Sequence, residues 1–124
     1  MIKGNGVDII EVERIAKNIK SESFVNKVFT LNEIEYLKSI NFNPQSAAGI
    51  FAAKEAVSKC LGTGFSGFGT LCIEITKNEK GKPLVNLLDT ALEISKENNI
   101  ENIQISISHI KDYAIAYAIA EGKE

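Results

Sequence analysis

Apolar and polar residues alternate along Ile103 to Ser108, and a second regular run follows from Tyr113 to Ala120. Lys111-Asp112 between them supplies a tight turn, so the two runs predict a hairpin of strands. In the second run Tyr113, Ile115, Tyr117 and Ile119 share one face, and Ala114, Ala116, Ala118 and Ala120 share the other. Neither face is polar, so both require a cover. Two arrangements provide it: helices over both faces of a central strand, or a second subunit over the face that helices leave bare.

The rest of the chain reads as a mixture of elements. Ile2 to Ile10 is a strand, and a helix opens near Glu11 with Val12, Ile15, Ala16 and Ile19 on its apolar side. Phe24 to Phe29 is a short helix. Thr30 followed by Glu33 is a capping-box pattern that starts a third helix near Leu31. After the loop Asn41-Phe42-Asn43-Pro44, Gln45 to Leu61 forms the longest helical pattern, stopped by the glycine-rich run from Gly62 to Gly69. Leu71 to Thr76 is a strand, Asn78 to Lys82 a turn, Leu84 to Asn86 a short strand and Leu88 to Glu97 a helix. This order predicts a single α+β domain over residues 1–124, not a doubly wound sheet.

Composition narrows the function classes. A net charge of -2 excludes nucleic acid as a partner, because its binding needs a strong basic surplus. No apolar run approaches the roughly 20 residues of a membrane span, and Met1-Ile2-Lys3-Gly4 lacks the pattern of a signal peptide. Cys60 and Cys72 have no metal or redox spacing and read as reduced thiols of a cytoplasmic protein.

Four places could carry chemistry. Asp8 lies between Val7 and Ile9 in an apolar strand, on the same face as Gly4 and Gly6. It is either a solvent-facing edge carboxylate or an acid facing a cavity, since strand glycines often mark close approach by a ligand or a second backbone. Glu55 and Lys59 share a helix face with Phe51 and Ser58. They are either a surface ion pair or, on so alanine-rich a helix, a half-buried site for a metal and phosphate oxygens. Lys54, on a neighbouring face, fits either purpose. The glycine-rich run follows a helix instead of preceding one, which excludes a P-loop; Thr63 and Gly64 remain backbone contacts for a ligand. His109, the sole histidine, ends a strand that also carries Ser106 and Ser108.

Together, Gly6-Val7-Asp8-Ile9 and Phe51-Ala52-Ala53-Lys54-Glu55-Ala56-Val57-Ser58-Lys59 resemble the two motifs of the phosphopantetheinyl transferase superfamily. Gly62-Thr63-Gly64, Gly81-Lys82-Pro83 and Ser106-Ile107-Ser108-His109 resemble its carrier-protein-synthase subgroup, so the likeness spans nearly the whole chain. The resemblance implies a mixed antiparallel sheet with a long central helix. The implied reaction is Mg²⁺-dependent transfer of 4'-phosphopantetheine from coenzyme A to a serine of apo-acyl carrier protein, supporting fatty acid biosynthesis. It also implies a homotrimer with active sites between subunits.

By the same resemblance, Asp8 and Glu55 hold Mg²⁺, and Glu55, Lys59 and His109 are catalytic. Lys54, Ser58, Gly62, Thr63, Gly64, Pro83, Ser108 and His109 contact the coenzyme, while Arg14 and Lys17, supported by Lys20, meet the acidic carrier protein. Two departures stand out. Ile50 occupies a position where the subgroup has an arginine that grips coenzyme A, so that phosphate contact is either missing or supplied elsewhere, by Lys82 or Lys111. Ser21 to Ser23 carries no positive charge where relatives often do, which weakens carrier encounter.

Overall fold

The computed structural model describes residues 1–124 in the order β1 (Ile2–Glu11), α1 (Val12–Asn18), α2 (Glu22–Val28), α3 (Leu31–Ser39), α4 (Pro44–Cys60), β2 (Ile73–Lys77), β3 (Pro83–Leu87), α5 (Asp89–Glu97), β4 (Ile100–His109) and β5 (Tyr113–Gly122). The strands form two separate antiparallel sheets, β1-β5-β4 and β2-β3. The expected α+β class and long helix are present. β2 begins later than its apolar run because Thr70–Cys72 is a short 3-10 turn. β4 begins earlier than the alternation, past an irregularity between Ile100 and Asn102.

The centre of the larger sheet is β5, whose alanine face is the buried one. Ala114, Ala116, Ala118 and Ala120 are almost wholly enclosed, while Tyr113, Ile115 and Tyr117 on the opposite face stay 41–46% exposed. The cover on the alanine face is α4. Its own Ala47, Ala48, Ala52, Ala53 and Ala56 are fully buried, so small side chains meet small side chains and the helix lies close to the sheet. Asn43 caps α4 by accepting from the Ser46 amide at 3.0 Å, and Pro44 occupies its first turn.

Gly4 and Gly6 bring α4 closer still. A Cβ at Gly6 would overlap the Ala56 carbonyl oxygen, and one at Gly4 would overlap that of Cys60. The close approach inferred from these glycines is therefore made by the helix backbone. At its other end α4 lies over β4, with Gly49 against the side chain of Ile107. The helix thus crosses the sheet diagonally, its C-terminal half over β1 and its N-terminal half toward β4.

The smaller sheet is tied to α3 and α4 by a buried polar network. Thr30 and Glu33 form the predicted capping box. Glu33 pairs with Lys54 at 2.7 Å and accepts from the Ile75 amide at 2.7 Å. Glu74 accepts from Thr30 Oγ1 at 2.6 Å and from the Asn32 and Asn86 side chains. No helix is long and apolar enough to cross a membrane.

Candidate functional site

The junction of β1 and α4 gathers four charged side chains. Asp8 points to the α4 side of the sheet, in register with the buried Ala116. Lys59 Nζ stands 3.4 Å from Asp8 Oδ1 and donates to the Val7 carbonyl at 2.9 Å. The Asp8 side chain is 19% exposed and that of Lys59 49%, so the pair opens to solvent on the lysine side. Glu55 is half-buried one turn before Lys59. Burial pushes its carboxyl above its ordinary value and the Asp8 charge pushes it further, against the pull of Lys59 and Arg14. The Asp8 charge thus reaches Glu55 across the junction.

Two carboxylates at one corner, open to solvent on one side, fit a Mg²⁺ ion. Mg²⁺ keeps several waters and binds through one or two carboxylates together with substrate phosphates, so no all-protein cage is needed. No group of three or more His, Cys, Asp or Glu side chains suited to a metal occurs in the chain. Arg14 is exposed on α1 yet close enough to act on Glu55, which places the basic helix beside the acidic corner. Lys17 is exposed on the same helix and paired with Glu13 at 3.5 Å, which offsets part of its charge.

Several expected contacts stand elsewhere. Lys54 has no exposed surface: its ammonium is consumed by Glu33 and by the carbonyls of Thr70 at 2.9 Å and Ile73 at 2.7 Å. All three N–H donors are satisfied, so Lys54 is a structural tie and not a coenzyme ligand. Ser58 is likewise enclosed, and its hydroxyl donates back to the Glu55 carbonyl at 2.6 Å. Gly62 ends α4 with φ +85, as expected, and the Gly64 amide returns to the Ser58 carbonyl at 3.0 Å. Gly62 and Lys59 also line a cavity of about 390 Å³ beside Gly4 and Cys60. Thr63 donates to the Gly64 carbonyl at 2.8 Å. Burial pushes the Cys60 thiol up to about 11, in keeping with an inert thiol.

A second station lies beyond the other flank of α4. His109 and Pro83, expected near the coenzyme, line one cleft of about 150 Å³ together with Tyr36, Gln45, Ser46, Gly49, Ile50, Lys77, Gly81 and Ile107. Ile50 contributes apolar wall there. The ammonium in this lining is that of Lys77; neither Lys82 nor Lys111 takes part. Tyr36, Gln45, Ser46 and Lys77 were not singled out from the sequence, since no motif or periodicity links positions on α3, α4 and β2. Ser108 is opposite Ile115 on the outer face of the sheet, so strand parity separates it from His109, which is opposite Ala114.

The two stations lie apart on α4. Gly49 and Ser46 precede Glu55 by six and nine residues. At 100° and 1.5 Å per residue they lie about 120° and 180° around α4 from it, and roughly 9 and 13 Å along the axis. The acidic corner is built on β1 and the cleft is lined by the end of β4, the two edge strands of the sheet.

The chain resembles known proteins along nearly its whole length. The chain is 55% identical over 122 residues to a holo-acyl-carrier-protein synthase of Clostridium botulinum, covering 98% of each chain. It is similar in structure to an acyl carrier protein synthase of Plasmodium yoelii with ADP bound, with a TM-score of 0.89 and 34% identity over 100% of this chain and 98% of that one. It is also similar to a holo-acyl-carrier-protein synthase of Bacillus anthracis in complex with coenzyme A (3',5'-ADP), with a TM-score of 0.82 and 35% identity over 99% of each chain. The family model described as the 4'-phosphopantetheinyl transferase superfamily matches residues 4–118, a span that takes in Asp8, Glu55, Lys59 and His109. With the two motifs folded against one another as strand and helix, the chain belongs to the 4'-phosphopantetheinyl transferase superfamily.

Proposed function

We propose that this protein transfers the 4'-phosphopantetheine group of coenzyme A to a serine hydroxyl of apo-acyl carrier protein, releasing adenosine 3',5'-bisphosphate. The observation that carries this reading is the convergence of Asp8 on β1 with Glu55 and Lys59 on α4 at one solvent-open corner. Asp8 and Glu55 are the residues that hold Mg²⁺, which when bound offsets negative charge on the coenzyme pyrophosphate. Lys59 adds a second positive charge beside the same oxygens. Glu55, or a water held at the same corner, would take the serine proton. The serine oxygen then bonds to the β-phosphorus of the coenzyme as the pyrophosphate P–O bond breaks.

His109 and Pro83 sit at the nucleotide end. Arg14 and Lys17 offer positive charge for the carrier protein on the exposed side of α1. Because corner and cleft stand on the two edge strands of one chain, we read a ligand that uses both as spanning two chains. Contacts of this head-to-tail kind close into a ring when the rotation between neighbours closes. The exposed face of Val7, Ile9, Tyr113, Ile115 and Tyr117 supplies apolar surface for such an assembly, and we read it as a homotrimer. Both cysteines are free, which suits the cytoplasm, where this transfer serves fatty acid synthesis.

Intact-mass measurement after incubation with apo-carrier protein, coenzyme A and Mg²⁺ tests the reading. The carrier gains one phosphopantetheine with the wild type and none with Asp8→Ala or Glu55→Ala, both remaining folded. Full activity in both variants would remove the metal assignment.

A further inference from the structure

We propose that Lys77, held by Tyr36, is the cation that grips a phosphate monoester in the cleft beside His109, and that it sets preference for a nucleotide donor carrying such a group. This deepens the proposed transfer function and rests on it. In that reading the monoester is the 3'-phosphate of coenzyme A. The ammonium of Lys77 donates to the Tyr36 hydroxyl at 2.8 Å and lies 4.9 Å from the centroid of the same ring. An ammonium has three donors, and this contact uses one.

Four lysines of the chain have an acidic partner, namely Lys17, Lys54, Lys59 and Lys123; Lys77 does not. The ten residues lining its cleft include no carboxylate. A lysine on an open surface is free to wave in solvent, but the aromatic ring and phenol of Tyr36 fix this one at the mouth of a concave site. Two N–H groups therefore remain for a ligand at a place where only positive charge is present.

The other walls tell which anion fits. Ser46 brings a hydroxyl and His109 an imidazole, while Ile50, Pro83 and Ile107 are apolar. Gln45 is anchored by donating to the Ile110 carbonyl at 3.3 Å, which leaves its side-chain oxygen for a ligand donor. A compact anion beside an apolar wall and a few hydrogen-bonding groups matches a phosphorylated nucleoside. Lysine serves phosphate as a point charge and suits a terminal monoester, whose oxygens all face outward.

Calorimetric titration of the full chain with coenzyme A and with dephospho-coenzyme A, which lacks the 3'-phosphate, tests this. The wild type is expected to bind coenzyme A more tightly, on the order of 10- to 100-fold, as for one charge-assisted contact. Lys77→Ala loses most of that preference by weakening coenzyme A alone, and Lys77→Arg recovers much of it. Tyr36→Phe, which removes the phenol contact, gives an intermediate loss. In steady-state transfer Lys77→Ala raises KM for coenzyme A with little change in kcat, the pattern of lost uniform binding. The proposal is overturned if Lys77→Ala binds coenzyme A like the wild type, or weakens both donors equally. Failure of transfer by a wild type that still shows the Lys77-dependent preference counts against the catalytic reading instead.

Discussion

Lys59 on α4 and Asp8 on β1 meet at 3.4 Å, although 51 positions of sequence separate them. The same ammonium holds the Val7 carbonyl at 2.9 Å, so Lys59 stays in place even without the acid. Asp8→Asn thus keeps the local shape while removing a charge. Transfer should fall on the order of 100-fold or more, the scale of several kcal/mol of lost charge stabilisation. Circular dichroism and melting temperature should stay at wild-type values. An unaltered rate at every Mg²⁺ concentration would take Asp8 out of the centre.

Glu55 links activity to stability. Its carboxyl titrates above its ordinary value of 4.5, chiefly through burial and then through Asp8. The folded chain accordingly binds this proton more tightly than the unfolded chain. Its stability falls as pH rises from about 4.5 through the folded-state value, and stays lowered above that. Glu55→Gln removes the penalty. In EDTA the variant should match the wild type at low pH and melt higher at neutral pH, while transferring nothing. Parallel melting curves for the two chains across pH 4 to 8 would contradict this.

Lys54 presents a different balance. Burial drives its ammonium down and the Glu33 carboxyl up, while each charge opposes the shift of the other. Lys54→Met leaves Glu33, which is 1% exposed, without its counter-charge, and should cost about 3–5 kcal/mol in urea unfolding. Glu33→Gln with Lys54→Met should cost clearly less than Lys54→Met alone, because no lone charge remains. Equal losses would mean that the pair is not coupled.

The exposed face of β5 gives a test of assembly. Ile115→Glu and Tyr117→Glu place charge on side chains that are 41% and 42% exposed in the single chain, so the fold itself should tolerate them. Sedimentation should shift from trimer to monomer, with transfer lost and helix content kept. Variants that sediment like the wild type would mean that another surface joins the chains.

The residues that were legible in advance are those whose signal is local. The Thr30–Glu33 capping box spans four positions, and the alternation of β5 repeats every two, so each could be read without its surroundings. Motif spacing singles out Asp8, Glu55 and Lys59, and the fold brings them to one corner. Lys54 sits inside the same motif and was misread, because its role is decided by Glu33, far away on another helix, and by two carbonyls that no side-chain pattern reveals. Gly4 and Gly6 announced a close neighbour but could not say that it was α4. Tyr36 and Lys77 come together only when the small sheet docks on α3, a long-range event with no periodic trace.

A helix that keeps acids on one flank and a cleft on the other would, in the proposed ring, make every chain a donor of two halves to two different centres. Two defective chains can then repair one another. Asp8→Asn spoils only the centre that borrows that chain's corner, and His109→Ala only the one that borrows its cleft. Mixed in equal amounts and allowed to exchange subunits, they should regain activity at about a quarter of the contacts, where an intact corner faces an intact cleft.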